Sequence, residues 1–214
     1  AVHIVQKGMP LLLNEALWSV GMSLLNQCYS TRGLAVIAAV NISSTVANLF
    51  NISFQALGSS IGIVVGNLLG AGKAEEARDT DRKMIAFSVA TCFLLGGLLA
   101  VVSGAIPNLY NTTAEVKALA AAFLLISACS MPFHAFSHAC YFTLRSGGQT
   151  LVTFLFDSCF VWVCCVPLAF CLSRFTGISI VPLYALCQAM DLLKCVIGAV
   201  MIHRGAWIRN LAEV

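Results

Sequence analysis

The sequence predicts an all-α membrane protein of six transmembrane helices, and three observations carry that expectation. Hydrophobic residues make up 59% of the 214 residues and charged residues only 10%, whereas a soluble domain carries about 25% charged residues. Such a chain lacks the charge to cover itself in water. Six apolar stretches also reach the length of about 20 residues with which a helix, rising 1.5 Å per residue, crosses a hydrocarbon core of about 30 Å. None alternates as the strands of a membrane barrel do. The third observation is a polar stripe in the second stretch, where Asn41, Ser44, Asn48, Asn51, Gln55 and Ser59 step by 3, 4, 3, 4 and 4. At about 100° per residue they share an arc of about 80°. A helix apolar on most sides meets lipid or apolar protein there, and its one polar stripe meets water, a ligand or another stripe. The expectation is an internal polar path, which points to transport.

The six spans are placed at about 10–29, 35–69, 84–106, 116–144, 151–172 and 180–202. In the first, Glu15 is the costliest residue, about 8 Å into the helix by its rise. Asn14 neighbours it, and Ser19, Met22 and Asn26 continue its face. An ionisable group at this depth costs about 2.5–3.5 kcal/mol on insertion scales and normally faces a partner or a cavity. Glu15 therefore reads as a proton- or cation-binding carboxylate whose pKa burial would raise, or else as a carboxyl reaching the cytoplasmic interface. The second span carries the stripe. The third is nearly all apolar after Lys83, so it belongs at the lipid-facing periphery, with Gly96-Gly97 as a packing site.

The fourth span gathers Ser127, Ser130, His134, Ser137, His138 and Tyr141 within about 100° of arc. Pro132 in its middle removes a backbone hydrogen bond and favours a kink. These side chains read as a cavity wall or as bonds to neighbouring helices. In the fifth span Asp157 follows Thr150 and Thr153. In the sixth, Tyr184, Gln188, Asp191 and Cys195 align, with Lys194 three residues after Asp191. An Asp191–Lys194 pair at that spacing can neutralise itself in the bilayer. Asp157, Asp191 and Lys194 are thus expected to be structural or to form a relay.

Basic residues orient the chain. With both termini cytoplasmic, Lys7, Lys73, Arg78, Arg82, Lys83, Arg145, Arg204 and Arg209 lie inside, while Arg32, Lys117 and Arg174 lie outside and Lys194 within the last span. That is the positive-inside bias, and it predicts a multi-pass protein of a cell (inner) membrane. The net charge of +3 borders membrane spans and implies no nucleic-acid partner. Ala74–Lys83 reads as a short amphipathic cytoplasmic helix, 107–113 as a turn-rich outer connection and 145–150 as a tight cytoplasmic turn. Gln6-Lys7 runs straight into a span after Ala1, so the chain reads as a piece of a longer protein or a single lobe.

Several motifs lead nowhere. Gly70-Ala-Gly-Lys73 suggests a phosphate loop, but the required first glycine would fall at Asn67 and the hydroxyl after the lysine is replaced by Ala74. A glycine helix end explains it better. The 10 cysteines form no C-x-x-C pair and lie mostly in apolar stretches, where cysteine acts as a small apolar residue. His134 and His138 share a face but have no third ligand at metal spacing, so no metal is expected. No nucleophile–base pair suggests an enzyme.

The order of several segments resembles the multidrug and toxic compound extrusion (MATE) family. Gly8-Met-Pro-Leu-Leu-Leu-Asn-Glu15-Ala-Leu-Trp18 resembles the start of the seventh family helix. Gly66-Asn-Leu-Leu-Gly-Ala-Gly-Lys, then Glu76-Ala-Arg78, resembles the following helix and its cytoplasmic loop, and Leu144-Arg-Ser-Gly-Gly148 the turn between the fourth and fifth helices of a lobe. The resemblance implies a transporter of twelve helices in two six-helix lobes, exporting organic cations and other amphipathic compounds against entering sodium or protons, with no other cofactor. This chain would be the C-terminal lobe, partnered by a complementary N-terminal lobe or a second copy, by the bilayer and by a small amphipathic or cationic substrate. Glu15 matches the family's cation-linked acid on the first helix of this lobe, with Asn14 beside it. Asn41, Ser44, Asn48, Asn51, Gln55, His134, His138 and Tyr141 would line the cavity. Some relatives place a second carboxylate on the fourth helix of the lobe; His134 and His138 stand here instead, which tilts the expectation toward protons. A lipid-linked sugar flippase of a related superfamily is the alternative, as is a fragment inactive without its partner lobe.

Overall fold

A computed structural model describes the backbone of residues 2–205, 207 and 208, and side chains at Met9 and from Leu12 onward. Lys7 and Arg209, assigned above to the cytoplasmic side, lie outside the described side chains, as do Gly8 and Pro10. The described residues form six long helices: α1 (Val2–Ser30), α2 (Leu34–Gly70), α3 (Ala74–Val102), α4 (Ala114–Ser146), α5 (Thr150–Phe175) and α6 (Ile180–His203). A single 3₁₀ turn, Ile106–Leu109, sits between α3 and α4. Helices α2 to α6 are each long and apolar enough to cross a membrane. Helix α2, with 37 residues, is about 56 Å long, so it tilts or protrudes beyond the hydrocarbon.

Two helix boundaries differ from the sequence expectation. The basic and acidic segment Ala74–Lys83 is the opening of α3, continuous with the apolar span. No glycine or proline interrupts it at residue 83, and one helix keeps its backbone bonds intact across the membrane surface. At the other end α3 stops at Val102 rather than Ile106, and Ile106 opens a separate 3₁₀ turn with Pro107 as its second residue.

Helix α4 is the centre of the lobe and packs against α2, α3 and α6, while α1 lies chiefly on α5. Small residues let α4 approach its neighbours: Ala120, Ala128, Ala135 and Ala139 are buried among larger partners. On one side of the bilayer, Tyr184 of α6 stacks between Phe123 (4.6 Å) and Tyr29 (5.4 Å). On the other, Ile61, Val65, Leu69, Leu144 and Trp207 form a second core. There the ring of Phe142 occupies the hollow left by Gly58 and Gly62 of α2.

The turns at this second end share one solution. Gly72 (φ 75°) and Gly148 (φ 73°) take the left-handed conformation that closes a helix. The Lys73 and Gln149 amides reach back to the Leu68 and Leu144 carbonyls at 3.0 and 3.3 Å. This is the glycine helix end expected for 70–73. At the opposite end, Arg32 donates to the Leu172 and Thr176 carbonyls at 3.1 and 2.7 Å, fastening the α1–α2 turn to the C-terminal end of α5.

Pro132 lies inside α4 without ending it. Its missing N–H leaves the Ala128 carbonyl without its helical donor. Gly96 of α3 packs on that carbonyl so closely that a Cβ would stand 2.7 Å from it. The gap admits only a glycine, whose Cα–H offers a weak substitute donor. Gly97 faces open space, so of the expected glycine pair only Gly96 packs. The rest of α3 turns Phe93, Leu94 and Val101 outward, as a lipid-facing helix would.

Gly96→Val should therefore lower stability by about 1–3 kcal/mol, the usual cost of overpacking, whereas Gly97→Val should be near neutral. Thermal unfolding of the two variants in detergent checks the difference.

Candidate functional site

The site begins with α5, which is not a regular helix. Leu155–Cys159 and Val161–Cys165 are π-helical turns, each fitting an extra residue into a turn. The second has a visible cause: Pro167 lacks an N–H for the Val163 carbonyl, and its ring crowds that carbonyl, so the turn before it widens. The first contains Asp157 and Ser158 and brings both to bear on other helices.

Ser158 donates at 2.7 Å to Asn14 of α1, either to its backbone carbonyl or to its side-chain oxygen. The amide of Asn14, 2% exposed, reaches Tyr141 of α4 at 3.4 Å and Asp157 at 3.3 Å. Lys194 of α6 closes the set with a 2.8 Å ion pair to Asp157 and a position 5.2 Å above the Phe156 ring. Nearby, Trp162 donates to the Leu17 carbonyl at 2.9 Å. Four helices thus meet through Asn14, Tyr141, Asp157 and Lys194, at a depth where lipid offers no replacement partners.

This network forms the floor of a cavity of about 500 Å³. Around it stand Glu15, Trp18, Gln55, Ser59, His138 and Arg145. The Tyr141 hydroxyl donates at 3.5 Å to Glu15, linking the exposed carboxylate to buried Asn14. Among the described residues Glu15 has no ion-pair partner. The cavity holds both charge signs, but Lys194 is already matched by Asp157.

The structure sorts the expected site residues. Glu15, Gln55, His138, Tyr141, Asp157 and Lys194 meet in the cavity, with Asn14 directly behind its wall. Asn41, Ser44 and Asn48 lie exposed on α2 and Asn51 is half-buried there; they continue the same stripe beyond the cavity. His134 does not line it: its Nδ1 pairs with Asp191, and its ring stacks on Phe54 with centroids 6.1 Å apart. His138 packs against Phe54 at 4.7 Å, its Nδ1 buried without a partner among the described residues.

Two expectations need correction. Asp191 and Lys194 do not pair with each other, because α6 directs Asp191 to α4 and Lys194 to α5. Three-residue spacing brings two side chains to one face, but nearer partners on packed helices take both. Glu15 is not buried within the lobe; it lies exposed on the open face, where the lobe provides no covering helix. Sequence reading also missed Ser158, which carried no mark beyond sitting next to Asp157.

The MatE family profile matches residues 10–171, most of the chain. The chain belongs to the MatE family. Its fold is similar to that of a MOP superfamily transporter from Pyrococcus furiosus, with a TM-score of 0.85 and 15% identity, covering 98% of this chain and 47% of that one. It is also similar to a multidrug resistance MATE family transporter of the MOP superfamily in an outward-facing conformation, with a TM-score of 0.78 and 17% identity over 98% of this chain and 47% of that one. This MatE chain therefore spans about half the length of both solved transporters. The first is described as having a binding pocket of reversed polarity.

Within the MatE lobe, the Asp157–Lys194 pair should behave as a unit. Lys194→Met should cost about 2–3 kcal/mol by stranding a half-buried carboxylate, and adding Asp157→Asn should recover much of that loss. A double-mutant cycle on unfolding in detergent measures the coupling.

Proposed function

We propose that this chain is one half of a cation-coupled efflux antiporter for small amphipathic or cationic compounds. It works by alternating access through a polar cavity between two lobes, in a cell (inner) membrane with both termini cytoplasmic. The observation that carries this reading is the 500 Å³ cavity beside the α2 stripe, with an exposed carboxylate wired into a four-helix network. A polar face left open on an otherwise apolar lobe belongs against a second lobe, because lipid cannot satisfy it. Coverage of about half of the solved transporters agrees with a missing complementary lobe.

Glu15 is the coupling group in this scheme. Asp157 is held neutral in sum by Lys194, leaving Glu15 as the cavity carboxylate with a free charge. A lone carboxylate suits a proton, since a dehydrated sodium ion needs several oxygen ligands. Protonation removes the charge that attracts a cationic substrate, so proton and substrate favour opposite-facing states and exchange. Tyr141 carries the change inward, because its hydroxyl bonds Glu15 on one side and Asn14 on the other. Trp18 and Phe142 supply apolar walls for an amphipathic molecule. A polyprenyl-phosphate cargo fits less well, since of the two basic side chains in the cavity one is already paired.

Paired with a complementary lobe in vesicles, the chain should drive ethidium efflux under a proton gradient. Glu15→Gln should reduce that driven flux roughly tenfold or more, a normal size for a coupling energy, while the fold is retained. Undiminished proton-driven efflux would remove Glu15 from the mechanism, and dependence on sodium alone would overturn proton coupling.

A further inference from the structure

On the side of α4 away from the cavity, α3 and α6 leave a groove between them of about 870 Å³. Its walls are apolar: Ile85, Val89 and Phe93 from α3, Phe136 from α4 and Ile202 from α6. At its mouth stand Arg78, Arg82 and His203, with Trp207 closing the end. We propose that this groove binds one anionic phospholipid, its acyl chain along the α3 wall and its phosphate between Arg78 and Arg82.

Charge at the mouth supports an anion. Of the exposed carboxylates on this part of α3, Asp79 is engaged by Lys83 at 2.5 Å and Glu76 by Lys73 at 2.9 Å, and Glu75 does not line the groove. Neither Arg78 nor Arg82 has an ion-pair partner among the described residues. Asp81 also borders the groove, but it is wholly buried, and Thr143 donates to its Oδ1 at 2.6 Å. Two arginines over one buried carboxylate leave a single positive charge, enough for one phosphodiester. Arg78 is further held in place by the last turn, where its guanidinium lies 3.3 Å from the Cβ position of Gly205.

Depth supports a lipid rather than a free phosphate. The arginines precede the apolar part of α3, which begins at Met84, as headgroup-level residues do. From Ile85 to Leu94 the groove wall rises about 14 Å, close to one leaflet of a hydrocarbon core of about 30 Å. Phe93 and Leu94 at its far end are strongly exposed, so the groove opens sideways to acyl chains.

The test is native mass spectrometry of the full chain in detergent, titrated with phosphatidylglycerol or phosphatidylcholine. The first phosphatidylglycerol should bind about fivefold more tightly than phosphatidylcholine, the effect of one net positive charge at the headgroup level. Arg78→Gln with Arg82→Gln should abolish that preference, and Arg78→Lys with Arg82→Lys should keep most of it. Val89→Phe, which fills the groove and leaves the charges intact, should weaken binding of both lipids. Equal affinity for the two lipids, or a preference that survives the double glutamine change, would overturn the proposal. So would glycerol phosphate binding as tightly as the whole lipid.

Discussion

The lobe depends on the bond between Lys194 and Asp157. A charge deep in a membrane helix is tolerated only with a partner, and here the partners come from α6 and α5. Asp157 also accepts from Asn14, which draws α1 into the same set. Apolar contacts alone give helices in lipid little reason to prefer one neighbour, since the surroundings are equally apolar. The polar set supplies that preference. It places α1 against α5, and it also fixes the floor of the cavity, so the element that holds the lobe together and the element that shapes its site are the same.

Much of the fold was legible because lipid imposes simple rules on sequence. Long apolar runs, glycine-bearing turns and a polar stripe at helical spacing predicted six helices and an internal polar path. The illegible parts are those decided by neighbours. Nothing in the residues 74–83 announces whether an amphipathic turn continues into the span. Pro167 forecasts one π turn, but the turn at Asp157 has no such mark, and it determines that Asp157 rather than Asp191 meets Lys194. Glu15 was identified by its insertion cost and by the family resemblance. Its exposed position followed from the open side of the lobe, which no local pattern describes.

Pro132 shows how a local rule becomes a tertiary one. The proline predicts a lost hydrogen bond in α4, and the fold answers it from another helix, with Gly96 laid against the freed Ala128 carbonyl. Two residues that look like separate helix weaknesses in sequence are one contact in space. The contact lies only a turn from Ser127 and Ser130 and within two turns of His134 and Ser137 along α4.

Helix α4 separates the two features proposed here. Its Tyr141 and His138 face the cavity, while its Phe136 lies on the wall of the α3–α6 groove. Both Thr143 and Tyr141, two residues apart, bond a carboxylate, but on opposite sides: Thr143 reaches Asp81 beside the groove and Tyr141 reaches Glu15 in the cavity. An occupant wedged between α3 and α6 would therefore press on the helix that carries the cavity's central hydroxyl. Coupling between two sites requires an element whose position both of them bias, and α4, like α6, borders both.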